Sequence, residues 1–179
     1  ESLSYREEYQ IPGDAVVISF TGRLLKEKGI LTLIQAVENM NKNGQETYLL
    51  IAGDGDEEQA VRSAANEHII ALGRITADHV IALLRETDIF CLPSDSEGMP
   101  TSVLEAAACG NYVVTTKRGG AKELLINEEY GMVLDDNRLE TVQRALERAV
   151  EAPEKREEGV ALTLARLREL FPWDRVAER

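Results

Sequence analysis

The sequence predicts an α/β fold: one domain built on a parallel sheet of about six strands, with helices on both faces. Three observations predict it. Short runs rich in Val, Ile and Leu alternate with longer segments of helical period, and that alternation builds βαβ units. Glycine loops at Gly22, Gly53, Gly73, Gly98 and Gly119 each follow a strand, so they gather on one edge of the sheet, where such folds bind ligands. The composition is 44% hydrophobic but 5% aromatic, which suits an aliphatic core beneath a sheet covered on both sides. A chain of 179 residues can bury that core without disulfides or metal.

The elements follow in order. Residues 1–14 are polar and charged and stop at Ile11-Pro12-Gly13-Asp14, so they read as a short helix or linker leading into the fold. Residues 15–20 are a β-rich apolar run, predicted as a buried strand. A loop, 21–29, leads to a helix over 30–43 with apolar positions at Ile30, Leu33, Ile34, Val37 and Met40. A second strand covers 48–52, a helix 56–66, and a third strand 69–72. Thr76 caps a helix running to about Arg85. A fourth strand covers 88–92, and the helix after it runs to Cys109, with Gly110 as its stop. The fifth strand is 112–116, followed by a short helix from Gly119-Gly120 through Ile126 and a sixth strand over 131–134. Two charged amphipathic helices, 138–151 and 153–170, complete the domain over 15–172. Trp173–Arg179 then reads as the start of a further helix, crossing away from it.

Charge and cysteine usage narrow the function. A net charge of −12 argues against a nucleic-acid or anionic-membrane surface, both of which call for basic patches. Cys91 and Cys109 lie in apolar surroundings without a C-x-x-C spacing, so they read as buried free thiols suited to a reducing, cytoplasmic setting. No run of eighteen apolar residues predicts a membrane span, and no signal peptide is visible. Glu1 stands where a native chain would carry Met, so an upstream part is expected, and any membrane attachment would fall to it. His68 and His79 sit in or beside polar helices and read as surface residues.

The stretch from Glu97 to Glu105 carries the chemistry. Two carboxylates stand eight positions apart around Gly98-Met99-Pro100-Thr101-Ser102. Pro100 suits the start of a helix, whose first N–H groups have no intrahelical partner and face an anion. Glu97 precedes that anion site and Glu105 lies about two turns beyond, so a phosphate-bearing ligand rich in hydroxyls could meet a carboxylate at each end. In the first glycine loop, Arg23 and Lys28 can clamp a diphosphate from the opposite side. Two other nucleotide motifs fail. Gly53-Asp54-Gly55-Asp56-Glu57-Glu58 has Glu where a dinucleotide fingerprint needs its third Gly, and the Gly22 loop lacks the Gly-Lys-Ser/Thr end of a P-loop. Gly119-Gly120 reads equally as an anion nest or a helix entry, and Glu123 as a residue that holds that turn.

Together these residues resemble the C-terminal, donor-binding domain of the retaining glycosyltransferases of family 4 (group 1), which have the two-domain GT-B fold with Rossmann-like halves. The resemblance runs from about Val16 to Arg175. It rests on Gly22-Arg23 with Lys28-Gly29, Gly53-Asp54-Gly55, Glu97-Gly98-Met99-Pro100 with Glu105, Gly119-Gly120 with Glu123, and Phe171-Pro172-Trp173. It implies that Arg23 and Lys28 hold the donor diphosphate and stabilise the leaving group, and that Glu97 lies near the donor sugar. It further implies sugar-hydroxyl contacts from the backbone of Gly98 and Met99, phosphate contacts at Gly22, Thr101 and Ser102, ribose contacts from Glu105, and a base resting near Gly73-Arg74-Ile75. The donor would be a UDP-, GDP- or ADP-sugar, used without a cofactor or metal, and a hexosyl group would pass to a glycan, lipid or small molecule held by an N-terminal acceptor domain. Tyr112 and Lys122 depart from positions where the family often has Pro; both read as packing changes. Two alternatives stay open: a non-catalytic sugar-nucleotide-binding module, and a sugar-nucleotide epimerase of the same architecture.

Overall fold

A computed structural model of the protein describes residues 3–95 and 101–172. Six strands form one sheet: β1 (Val16–Thr21), β2 (Thr47–Ala52), β3 (Ile69–Gly73), β4 (Ile89–Leu92), β5 (Tyr112–Thr116) and β6 (Met132–Leu134). Every pairing is parallel, in the order β3-β2-β1-β4-β5-β6. The chain therefore winds outward from β1 to β3, returns across the sheet to β4 and winds outward again on the other side. The Rossmann-like α/β fold expected from the strand–helix alternation is the one found. Its order reverses between β1 and β4, so the crevice of such a fold opens at the carboxyl ends of these two strands.

Burial explains why the strands read as continuous apolar runs. All six residues of β2 are buried, as are five of the six in β1, because helices cover both faces. Alternation sends Ile18 and Phe20 into the larger core with Leu33, Val37 and Met40 of α2 (Ile30–Lys42) and Val142 and Leu146 of α7 (Leu139–Glu151). Val17 goes to the opposite face, with Leu50, Ala52, Ile70 and Leu83 of α4 (Ala77–Arg85). The helical period predicted for α2 is the buried stripe observed, while Leu31 points outward.

The amino-terminal segment is tied into this core. Tyr5, in the single turn of α1 (Tyr5–Glu8), and Ile11 are buried in the second cluster. Arg6 donates to the carbonyls of Ala15 and Glu86 and forms an ion pair with Asp88 at 2.9 Å. Asp88 also accepts the backbone N–H of Val17 at 2.9 Å, so one carboxylate fastens the starts of β1 and β4 together.

Several expected elements shift for local reasons. The helix expected over 56–66 is shorter, α3 (Glu58–Ala64), because the Glu57 N–H is drawn to the carbonyl of Leu24 instead of into a helical turn. The loop at 21–29 contains a 3-10 turn at Lys26–Lys28. The short helix expected through Ile126 spans only α6 (Ala121–Leu124). Thr76 caps α4 as expected, accepting from the His79 N–H. The helix after β4 is described from Thr101 as α5 (Thr101–Ala108), and α8 (Pro153–Leu170) closes the described chain. His68 is corrected: it is not a free surface residue but half-buried, with its ring against Tyr48 at 4.8 Å between centroids and Nε2 3.0 Å from Glu46. His79 is exposed as expected. Both thiols are free; Cys91 is buried, which pushes its pKa well up, whereas Cys109 is only half-buried.

Candidate functional site

The loops beyond β1, β2 and β3 are laced together through their backbones. Gly22 N–H donates to Ala52 at 3.1 Å, Gly53 N–H to Gly73 at 2.8 Å and Leu24 N–H to Asp54 at 2.8 Å, while the Leu24 carbonyl accepts from Glu57 at 2.8 Å. Leu24 plugs the junction and is buried. Lacing this tight requires glycine. A Cβ on Gly53 would stand 1.8 Å from the Gly22 carbonyl oxygen.

On its other side the first loop is fastened to the end of β4. Asp95 N–H donates to the Glu27 carbonyl at 2.6 Å, and Ser94 Oγ lies 3.4 Å from the same oxygen. Gly29, in the left-handed conformation at φ 77°, lets the backbone close on Pro93; a Cβ there would stand 2.2 Å from the Pro93 carbonyl oxygen. The β4 end is held in turn by β5, since Thr115 Oγ1 donates to Leu92 and Thr116 Oγ1 to Ser94. Asn137 reaches the Pro93 carbonyl at 3.3 Å. The switch point is therefore lined by two strand-end loops bound to each other and to their neighbours.

On this frame the residues singled out in the sequence fall into three groups. Gly22, Arg23 and Lys28 occupy the loop clamped between β2 and β4, with Gly22 and Arg23 exposed and Lys28 half-buried. Thr101, Ser102 and Glu105 lie in the first turns of α5; Thr101 is exposed, Ser102 and Glu105 are half-buried, and the spacing of Thr101 and Glu105 puts them on one helix face. Arg74 and Ile75 follow β3, which the glycine ladder links to the first loop, with Arg74 exposed. Glu97, Gly98 and Met99 lie outside the described residues, as does the tail expected to begin a crossing helix at Trp173. Among the described residues no group of His, Cys, Asp and Glu has the geometry to hold a metal ion.

The structure adds groups that no motif announced. Arg118 and Lys117, just past β5, stand on the same sheet edge, paired with Asp95 at 3.1 Å and Asp135 at 3.9 Å. Thr116 and Asn137 act on backbone carbonyls, so nothing in their sequence context marks them. A cavity of about 630 Å³ lies elsewhere, along the outer strand β6, walled by Arg144 and Arg148 of α7 and by Lys155 and Glu158 of α8. It gathers none of the glycine loops beyond β1, β2 and β3.

What the switch point can do follows from its charges. An exposed arginine and a lysine share one loop on the sheet edge from which α5 rises, and each carries positive potential there, as does a helix N-terminus. Glu105, one turn below Thr101, offers acceptors to hydroxyls beside it.

Known proteins share both this sequence pattern and this fold. The family model described as glycosyl transferases group 1 matches residues 2–160. A GDP-mannose-dependent alpha-(1-6)-phosphatidylinositol monomannoside mannosyltransferase of Mycolicibacterium smegmatis is 30% identical over 153 residues, covering 79% of this chain and 40% of the relative. The C-terminal domain of a glycosyl transferase group 1 family protein from Francisella tularensis superposes with a TM-score of 0.78 at 23% identity, over 91% of this chain and 89% of that one. The Anabaena protein HepE in complex with UDP-glucose superposes with a TM-score of 0.80 at 19% identity, over 92% of this chain but 46% of that one. The chain spans less than half the length of the curated relatives it matches, between 31% and 47%. No helix among the described residues is long and apolar enough to cross a membrane. With the matched family model covering most of its length, the chain belongs to the group 1 glycosyltransferases and has the fold of their C-terminal domain.

Proposed function

We propose that this chain is the donor-binding half of a retaining glycosyltransferase, holding a nucleoside-diphosphate sugar whose hexosyl group passes to an acceptor bound by an N-terminal domain. The observation that carries the reading is the clamping of the Arg23–Lys28 loop onto the end of β4 at the switch point, on the sheet edge from which α5 rises. Arg23 and Lys28 hold the diphosphate from one side and the first turn of α5 meets it from the other. Glu105 takes the ribose hydroxyls, and the base rests toward Arg74 and Ile75. A relative named for GDP-mannose and a neighbour holding UDP-glucose support a nucleotide-sugar donor and leave the base open.

In the reaction, the bond between the anomeric carbon and the phosphate oxygen breaks, and the nucleoside diphosphate leaves with the electron pair. The acceptor oxygen bonds to the same face of that carbon, and its proton passes to the departing phosphate. Negative charge grows on the leaving oxygen, so cations already fixed beside it lower the barrier. Glu97, carried by the family resemblance, would lie near the donor sugar.

Calorimetry with UDP, GDP, ADP and their sugars tests the reading. At least one diphosphate is expected to bind, and to keep its affinity in excess chelator, because Arg23, Lys28 and the helix end supply the counter-charge. Binding that vanishes on chelation would overturn the metal-free part of the proposal. Glu105→Ala is expected to weaken that diphosphate by about 1.5–3 kcal/mol, the range for a hydrogen bond to a charged group. Its 2′,3′-dideoxy analogue should be nearly insensitive; equal losses would place Glu105 away from the ribose.

A further inference from the structure

Nine polar residues are buried in the described structure, and eight of them hydrogen-bond through their side chains. Thr21 is the ninth. It is 5% exposed, and its Oγ1 is covered and without a partner. The contrast with its counterparts is sharp, since Thr115 and Thr116, at the end of β5, spend both hydroxyls on the carbonyls of Leu92 and Ser94.

Position gives this orphan a use. Thr21 is the last residue of β1, at the reversal of strand order, immediately before Gly22 and Arg23. Alternation places Val17, Ser19 and Thr21 on one face of the sheet. Val17 packs with Leu83 of α4 on that face, and Ser19 Oγ lies 2.6 Å from Thr87 Oγ1, just past α4. Helix α5 packs beside α4. The hydroxyl therefore lies at the end of the sheet face that carries α4 and α5, next to the Arg23 loop. A hydroxyl can donate as well as accept, and no protein carbonyl claims this one. An unmade buried hydrogen bond is costly, and an arriving anion would satisfy it.

We propose that Thr21 is a donor-binding residue whose hydroxyl donates to an oxygen of the distal, sugar-linked phosphate. The assignment rests on the nucleotide-sugar reading above. In that reading the base lies toward β3, two strands from β1, so the ligand runs base, ribose, phosphates toward the switch point and its distal phosphate reaches β1. Oγ1 is covered in this structure, so the contact requires its lining to part. Replacing the hydroxyl by a methyl removes an unsatisfied group from the free form and a hydrogen bond from the bound form.

The test is calorimetry and thermal melting of the 179-residue chain and its Thr21→Val and Thr21→Ser variants, using UDP, GDP and ADP and the matching monophosphates. Thr21→Val is expected to lose about ten-fold in affinity for the diphosphate that the wild type binds, the lower end for a hydrogen bond to a charged group. Its monophosphate affinity should change by less than about two-fold, and Thr21→Ser should stay near wild type. The ligand-free melting temperature of Thr21→Val should be equal to or above that of the wild type, and Thr21→Ala supplies the same contrast if valine packs poorly. Unchanged diphosphate affinity in Thr21→Val, or equal losses for mono- and diphosphate, would overturn the assignment. A wild type that binds no diphosphate would overturn both the assignment and the reading beneath it.

Discussion

Gly53→Ala is expected to be among the most destabilising single substitutions in the domain, at about 3–5 kcal/mol, enough to lower the melting temperature by roughly 10 °C or more. Two penalties add at this position. Its φ of 144° lies where side chains are rarely accommodated, and its Cβ would stand 1.8 Å from the Gly22 carbonyl oxygen and 3.0 Å from the carbon. Both atoms belong to backbone, so no side chain can swing aside. Relief requires the loops of β1 and β2 to separate, which puts at risk the bonds from Gly22 to Ala52 and from Leu24 to Asp54. Gly44→Ala is the control. Gly44 has φ 87° but nothing within 4 Å of the added carbon, so only the backbone penalty of about 1 kcal/mol applies. Urea unfolding of both variants checks the difference. Equal losses would mean that the close approach of the two loops contributes nothing. The prediction bears on function too, since the separated loop is the one that carries Arg23 and Lys28.

Much of this fold was legible because its signals are local. The apolar runs that became β1 and β2 needed only their composition, and the stripe of Ile30, Leu33, Ile34, Val37 and Met40 needed only its period. The order of the strands was not legible in the same way. Parallel pairing joins segments far apart in the chain, so the reversal between β1 and β4 emerges only in three dimensions. The shortened α3 shows the same limit, because its start is decided by a bond from Glu57 to Leu24, across a loop contact no periodicity records. His68 departs from its sequence expectation for a related reason. The polar sequence around His68 hides the fact that β2, twenty residues earlier in the chain, brings Tyr48 against its ring. At the proposed site, Arg23, Lys28, Thr101 and Glu105 are candidates on sequence alone, because charge and hydroxyl chemistry is visible in residue type. Thr21 is not, since a threonine ending an apolar strand looks like any other; what distinguishes it is the absence of a partner where its neighbours have one.

The largest loss of activity is expected between a full-length protein and this chain by itself. As proposed, these residues hold the donor but not the acceptor, and the chain spans between 31% and 47% of the length of curated relatives. Holding two reactants at attack distance is worth effective molarities of about 10⁵–10⁸ M. A domain that positions only one of them forgoes that advantage, however intact its pocket. The 179-residue chain should therefore bind a nucleoside diphosphate yet release it from the donor sugar no faster than background, with or without acceptor. The same residues within a full-length protein should show acceptor-dependent release. In that protein, Arg23→Ala or Lys28→Ala should lower kcat about 10²–10³-fold, the range seen when one preorganised group facing a developing anion is removed. Donor affinity should fall less, because charge on the leaving oxygen is greater in the transition state than in the bound donor. The measurement is nucleoside diphosphate release over a panel of donors and acceptors, made on the chain, the full-length protein and the two variants. Acceptor-dependent transfer by the 179 residues alone would show that the acceptor site lies within them, and a full rate in Arg23→Ala would remove that side chain from the leaving group.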